Sequence, residues 1–229
     1  ADRLHPKKSK RPLASGEIKK GPAIAIAVTF IIISLCLSVL TGSLWSSLLL
    51  GCYVILNIAY SMGLKNIAIV DIAILASGYV LRVLFGGTYC GIPVSLWLFL
   101  TILTFAMYFA FGKRGGELDR HGTSSRKSLE QYTMEFLRQG RTISLVSGIV
   151  FYTLWSYERT VIVTDTVSTL SLLVVIGVPL VIAMCLRYNY LLECSDSDGD
   201  PVDMLIGDKA LLILLFCWVL TIGWAIYAL

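Results

Sequence analysis

Charge is scarce in this chain. Asp, Glu, Lys and Arg together make 15% of its 229 residues, where soluble globular domains carry about a quarter. With 56% apolar residues and a mean hydropathy of +0.78, that shortage excludes an ordinary soluble domain. Histidine is rarer still: His5 and His121 are too few and too separated for a histidine metal site. The six cysteines, at positions 36, 52, 90, 185, 194 and 217, include no Cys-x-x-Cys pair, which argues against a zinc site and a disulfide framework. Most lie in apolar runs and are expected to be buried thiols. Internal repeats and low-complexity segments are also lacking, and no nucleic-acid partner is expected.

What the chain has instead is long apolar runs. A hydrocarbon core about 30 Å thick needs roughly 20 apolar residues per helix. That ruler predicts an all-α, polytopic membrane bundle with seven visible helices, at roughly 22–40, 43–61, 67–87, 93–112, 142–158, 167–187 and 209–228. Gly42, Gly91 with Pro93, and Gly207 punctuate them. The cations are asymmetric: Asp2–Lys20 holds seven Lys or Arg, Ser61–Asn66 holds Lys65, Lys113–Arg141 holds seven and Arg187–Lys209 two, whereas the alternate loops hold only Arg159. The positive-inside rule then places the first set in the cytoplasm and the C-terminus outside.

Three stretches carry more than topology. In the first, prolines 6 and 12 hold the segment extended until Gly16 releases it. Its order is Asp2-Arg-x-His-Pro-x-Lys8-x-x-Arg11-Pro-x-Ala-x-Gly16. By charge alone it is the positive flank of a membrane helix. In the second, Tyr60-Ser-x-x-Leu-Lys65 leads to Asp71 and Ala76-Ser-Gly-x-Val-Leu-Arg82. Lys65 reads either as a snorkelling interfacial lysine or as an anion ligand. Charges inside a membrane helix cost a few kcal/mol and face the bundle interior. Asp71 and Arg82 lie three turns and about 16 Å apart, too far for a direct pair, so each needs another partner, expected on helices upstream of Ala1. In the third stretch, Gly112, Gly115 and Gly116 surround Lys113 and Arg114, followed by Glu117 and Tyr132. Seven cations between 113 and 141 satisfy the topology rule, while the glycines allow close approach to a phosphate. The acidic run from Asp196 to Asp203 lacks the glycine position and closing glutamate of a calcium loop and reads as a solvated turn on a pocket rim.

The first stretch resembles the end of the aspartate-rich loop of the UbiA superfamily of intramembrane prenyltransferases, which begins Asn-Asp-x-x-Asp-x-x-x-Asp. Of its acids only Asp2 is present, so the chain is expected to start inside the motif. Two upstream helices would complete a nine-helix bundle, and this portion alone is expected to bind metal poorly and to be inactive. The second stretch is similar to the phosphoribosyl branch, the decaprenyl-phosphate phosphoribosyltransferases: Ser61 stands where ordinary members have proline. The third carries Lys113-Arg114-x-x-Glu117-Leu where ordinary members have a second aspartate-rich motif.

The resemblance implies one membrane domain over 1–229, with 1–20 as the cytoplasmic end of the aspartate loop and 113–141 as a cytoplasmic cap loop. It implies a transferase of the cytoplasmic membrane, with its site on the cytoplasmic side. A polyprenyl phosphate oxygen would attack C1 of 5-phosphoribosyl 1-diphosphate and expel diphosphate. Mg2+ would be held by Asp2. Lys8, Arg11 and Lys65 would neutralise diphosphate or lipid phosphate, Lys113 and Arg114 would hold the 5-phosphate, and Glu117 and Tyr132 would orient ribose hydroxyls. Tyr60 and Arg82 belong to the same substrate-binding set. Two alternatives stay open: prenyl transfer to an aromatic acceptor, and a non-catalytic membrane subunit of this fold. Association into a homo-oligomer is compatible with either.

Overall fold

The computed structural model describes residues 12–41, 43–122, 127–164, 173–194 and 199–227. They form α1 (Pro12–Ser15), α2 (Lys20–Thr41), α3 (Leu44–Met62), α4 (Val70–Cys90), α5 (Leu96–His121), α6 (Met134–Thr164), α7 (Val178–Cys194), α8 (Pro201–Gly207) and α9 (Lys209–Tyr227). Short 3₁₀ turns cover Leu64–Asn66 and Lys127–Gln131, and one π-helical turn, Leu173–Gly177, leads into α7. Among the described residues there is no strand, as the apolar ruler predicts.

Local chemistry sets the helix ends. Ser43 and Ser95 accept the amides of Ser46 and Leu98 at 3.2 and 3.3 Å, satisfying N-terminal donors that lipid could not. Gly91 closes α4 in the left-handed region at φ 68°, where a side chain would be strained. Five described spans are long and apolar enough to cross a membrane, and α8 with α9, bent by 98° at the break between them, meets the same requirement as a pair. The remaining expected span corresponds to α6. It has 31 residues, but its polar positions, Arg138, Arg141, Glu158 and Arg159 among them, lower its apolarity.

The expected cap loop 113–141 is mostly helix. α5 continues past 112 to His121 and α6 begins at Met134. The three glycines do not stop α5, because charges around them find partners at helical spacing; Arg114 and Glu117, which bracket Gly115 and Gly116 one turn apart, bond directly. Extension of α5 turns the cations of a supposed loop into residues with fixed faces.

α5 is the centre of the bundle. It packs along α6 on one side and α4 on another, while α7 lies against α9 and α3 against α4. Small residues set the closest approach: a Cβ on Gly140 would lie 2.6 Å from the Phe111 ring, and one on Gly148 3.3 Å from Phe105. Two buried clusters result. One gathers Ile72, Phe111, Leu129, Tyr132 and Leu137; the other gathers Tyr108, Tyr152, Val181, Cys185, Tyr188 and Met204. α2, by contrast, buries only Ser38 among its described side chains. The expectation of buried cysteines is corrected here: Cys185 is buried, while Cys36, Cys52, Cys90, Cys194 and Cys217 are exposed, and all six are free thiols. An apolar run in a bilayer has lipid as well as protein to face, so hydropathy does not tell core from surface.

Candidate active site

Asp71, near the start of α4, is wholly buried at 0% exposure. Its carboxylate accepts from the Arg114 Nε at 2.7 Å, the Tyr132 hydroxyl at 2.7 Å, the Ile72 amide at 2.9 Å and the Ser128 hydroxyl at 3.4 Å. Arg114 is 1% exposed and donates from Nη1 to Glu117 at 2.6 Å and from Nη2 to the Tyr60 hydroxyl at 3.4 Å. One guanidinium thus ties α3, α4 and α5, and its carboxylate partner ties in the 127–133 turn. Buried charge is tolerated here because each member has several partners.

The turn before α4 is strained and clamped by the same group. Ile69 has φ 66°, rare for a β-branched residue. Its amide donates to the Tyr132 oxygen at 2.6 Å, and the neighbouring Ala68 amide to the Gln131 side chain at 3.1 Å. Burial, followed by the hydrogen bond to Asp71, pushes the Tyr132 phenol above its usual range. It therefore stays protonated as a donor at physiological pH.

Beside this network lies a cavity of about 740 Å³, within the size range of ligand sites. Its walls are aromatic and aliphatic, with Phe105, Phe109, Tyr152, Trp155 and Trp218 among the lining residues. The Trp218 indole donates to the Tyr152 hydroxyl at 2.9 Å, removing a polar atom that would otherwise be unpaired in the wall. The polar end consists of Tyr60, Lys113, Arg114 and Asp200. Lys113 and Asp200 form an ion pair of 2.5 Å with side chains 37% and 31% exposed. Burial opposes the charge on Asp200, but the Lys113 bond and charge and the amides of Val202 and Asp203 outweigh it and hold the carboxyl below the usual range. Asp200 also caps α8 through the Val202 amide.

The predicted residues therefore separate. Tyr60, Lys113 and Arg114 reach the cavity; Glu117 and Tyr132 do not line it and stand behind Arg114. The polar atoms of these two, for which ribose-orienting roles are expected, have protein partners: Glu117 accepts from Arg114, and the Tyr132 hydroxyl donates to Asp71 and accepts from the Ile69 amide. The expected phosphate-binding pair is split: Lys113 is on the rim, while Arg114 is fixed between two carboxylates. Lys65, half-buried in the Leu64–Asn66 turn, and Arg82 lie outside the cavity lining. Arg82 donates to the Tyr53 hydroxyl at 2.5 Å and stacks 5.1 and 5.4 Å from the rings of Tyr53 and Tyr79. Asp71 and Arg82 thus both find partners among the described residues. Asp2, Lys8 and Arg11 lie outside the described residues. Sequence alone assigns Asp71 no role and Asp200 only a place on the rim; intramembrane charge is the available signal for the first. The aromatic walls gave no sequence signal beyond composition.

The described carboxylates do not form a metal centre. Asp71 and Glu117 face Arg114 and Asp200 faces Lys113, and no group of three or more potential ligands occurs among the described residues.

A profile of the UbiA prenyltransferase family matches residues 1–205. The decaprenyl-phosphate phosphoribosyltransferase of Mycolicibacterium smegmatis is 36% identical over 234 residues, covering 99% of this chain and 72% of the relative. Those of Corynebacterium glutamicum and Mycobacterium tuberculosis are each 35% identical, covering 99% of this chain and 68% and 73% of their own lengths.

Proposed function

The chain belongs to the UbiA prenyltransferase family, and from that premise we propose that it transfers the 5-phosphoribosyl group of 5-phosphoribosyl 1-diphosphate to a polyprenyl phosphate. The observation that carries this reading is the cavity: apolar walls along its depth and a cationic, hydrogen-bonding end at Lys113, Arg114 and Tyr60. Such a site suits an isoprenoid tail with a phosphate head. The names of relatives at 35–36% identity over 99% of the chain support the choice of phosphoribosyl donor.

In this reaction the bond from C1 to the diphosphate oxygen breaks, the diphosphate leaves with the electron pair, and a lipid phosphate oxygen closes on C1. The acceptor is already ionised near neutral pH, so no strong base is required. The protein's task is to place anions and stabilise developing charge. Lys113 exchanges Asp200 for a substrate phosphate. Arg114 is held rigid by Asp71 and Glu117, so its cationic edge toward Tyr60 needs no reorganisation when substrate arrives. The aromatic walls exclude water from the attacking phosphate. Mg2+, with Asp2 as its ligand in this reading, would neutralise diphosphate charge; the described residues supply no centre for it, and no step here depends on its position. Lys8 and Arg11 belong to the same loop in this reading, and Lys65 keeps its place as a cation near the cytoplasmic face. The charge asymmetry of the loops supports a site on the cytoplasmic side of the inner membrane and an external C-terminus.

The test is purified protein in nanodiscs, supplied in parallel with labelled phosphoribosyl diphosphate plus polyprenyl phosphate, and with prenyl diphosphate plus a phenol. Labelled polyprenylphosphoryl 5-phosphoribose is the expected product. Transfer only in the second mixture would assign the chain to ordinary prenyl transfer.

A further inference from the structure

A second cavity, of about 190 Å³, opens beside the last turns of α5 and shares no lining residue with the apolar one. It is built from the last turns of α5 and α7 and the first turns of α6. These polar ends follow or precede the apolar stretches of their helices, which puts the cavity at the level where hydrocarbon gives way to headgroups. Its titratable lining is Asp119, Arg120, Arg138, Arg141 and Glu193, three cations against two anions.

The arrangement concentrates that excess. Arg138 and Arg141 both donate from Nη2 to the one Glu193 carboxylate, at 3.3 and 2.6 Å. One carboxylate between two guanidiniums leaves a positive charge uncompensated. Each guanidinium presents five N–H donors, and those outside the Glu193 contacts have no hydrogen-bond partner among the described residues. Arg141 is only 15% exposed while Arg138 is 56% exposed, so the fork has a buried wall and an open one. Gly115 forms part of the lining without filling it, since a Cβ there would meet nothing within 4 Å. Two arginines lining one small space, an excess of one positive charge and an open glycine position match a tetrahedral oxyanion, which accepts from several donors at once.

We propose that this cavity binds a phosphate group, carried on an anionic lipid headgroup or free in solution, at a site separate from the transfer reaction. The test uses the full chain in nanodiscs of phosphatidylcholine, with and without phosphatidylglycerol, and reads retained phosphatidylglycerol by native mass spectrometry and thermal midpoint against added inorganic phosphate. Arg138→Gln weakens anion binding about tenfold, the loss of one charge-assisted hydrogen bond. Glu193→Gln raises the lining's net charge and strengthens binding. Retention of phosphatidylglycerol without a response to inorganic phosphate names the lipid as the source; a response in phosphatidylcholine alone names free phosphate; both support the site. A purely structural ion-pair cluster predicts that Glu193→Gln lowers the midpoint and leaves anion binding unchanged. That result, or anion binding insensitive to both substitutions, overturns the proposal. None of these outcomes bears on phosphoribosyl transfer, whose residues line the other cavity.

Discussion

At the scale of single residues, adjacent Lys113 and Arg114 are expected to behave oppositely when removed. Lys113 has one partner on an accessible rim, so Lys113→Ala should leave the fold intact and raise the donor's KM roughly ten- to a hundredfold. Arg114→Ala would strand two buried carboxylates, Asp71 and Glu117, a change that costs about 3–5 kcal/mol. Donor titration beside thermal unfolding separates the two; equal KM effects with unchanged stability would refute the structural role of Arg114. Tyr132→Phe removes the donor to Asp71 and the acceptor for the strained Ile69 turn. About 1–3 kcal/mol of stability should be lost, measurable by denaturation in detergent. Asp200 provides the pH check. Its folded pKa is lowered, so the ion pair contributes fully above the ordinary value of about 3.9 and is lost as pH falls through the still lower folded one. Asn keeps the helix cap, so the difference in thermal midpoint between wild type and Asp200→Asn should be constant from about pH 5 to 8 and close only in stronger acid.

Between elements, the decisive contact is α5 on α6. Gly140 lets α6 approach until the Phe111 ring occupies the space of a side chain. Gly140→Ala must displace a buried ring and should cost about 1–3 kcal/mol. Gly223→Ala on α9, where a Cβ meets nothing within 4 Å, should be neutral or stabilising by up to about 1 kcal/mol. Similar midpoints for the two variants would show that the α5–α6 approach is not set by this glycine. The same interface shapes function, because α5 carries cavity residues on one face and the arginine-lined pocket on another. Its register against α6 therefore positions both.

For the whole molecule, topology follows from where cations cannot go. Cys90 ends α4 and Cys194 ends α7, both are exposed, and the loop charges lead us to expect them at opposite membrane faces. Variants retaining one cysteine each should react with a membrane-impermeant maleimide from opposite sides: Cys194 in inside-out vesicles, Cys90 in right-side-out ones. Labelling of both from one side would overturn the orientation.

The membrane class and the helices were legible in sequence because they follow from a quantity that adds along the chain, apolar length per span. The family was legible in three short motifs. Helix ends were less so: the spacing of Arg114 and Glu117 allows α5 to run on past the glycines, but the burial of that pair depends on Arg114 meeting Asp71 from another helix. The site divided in the same way. Lys113 and Tyr60 could be named from sequence, but the burial of Glu117 and Tyr132 behind Arg114, and the pairing of Lys113 with Asp200 across 87 positions, could not. Spacing along one helix specifies which residues share its face, whereas a charge becomes a ligand, a tether or a support according to what other helices bring to it. In a low-dielectric interior that pairing decides whether the charge can be there at all.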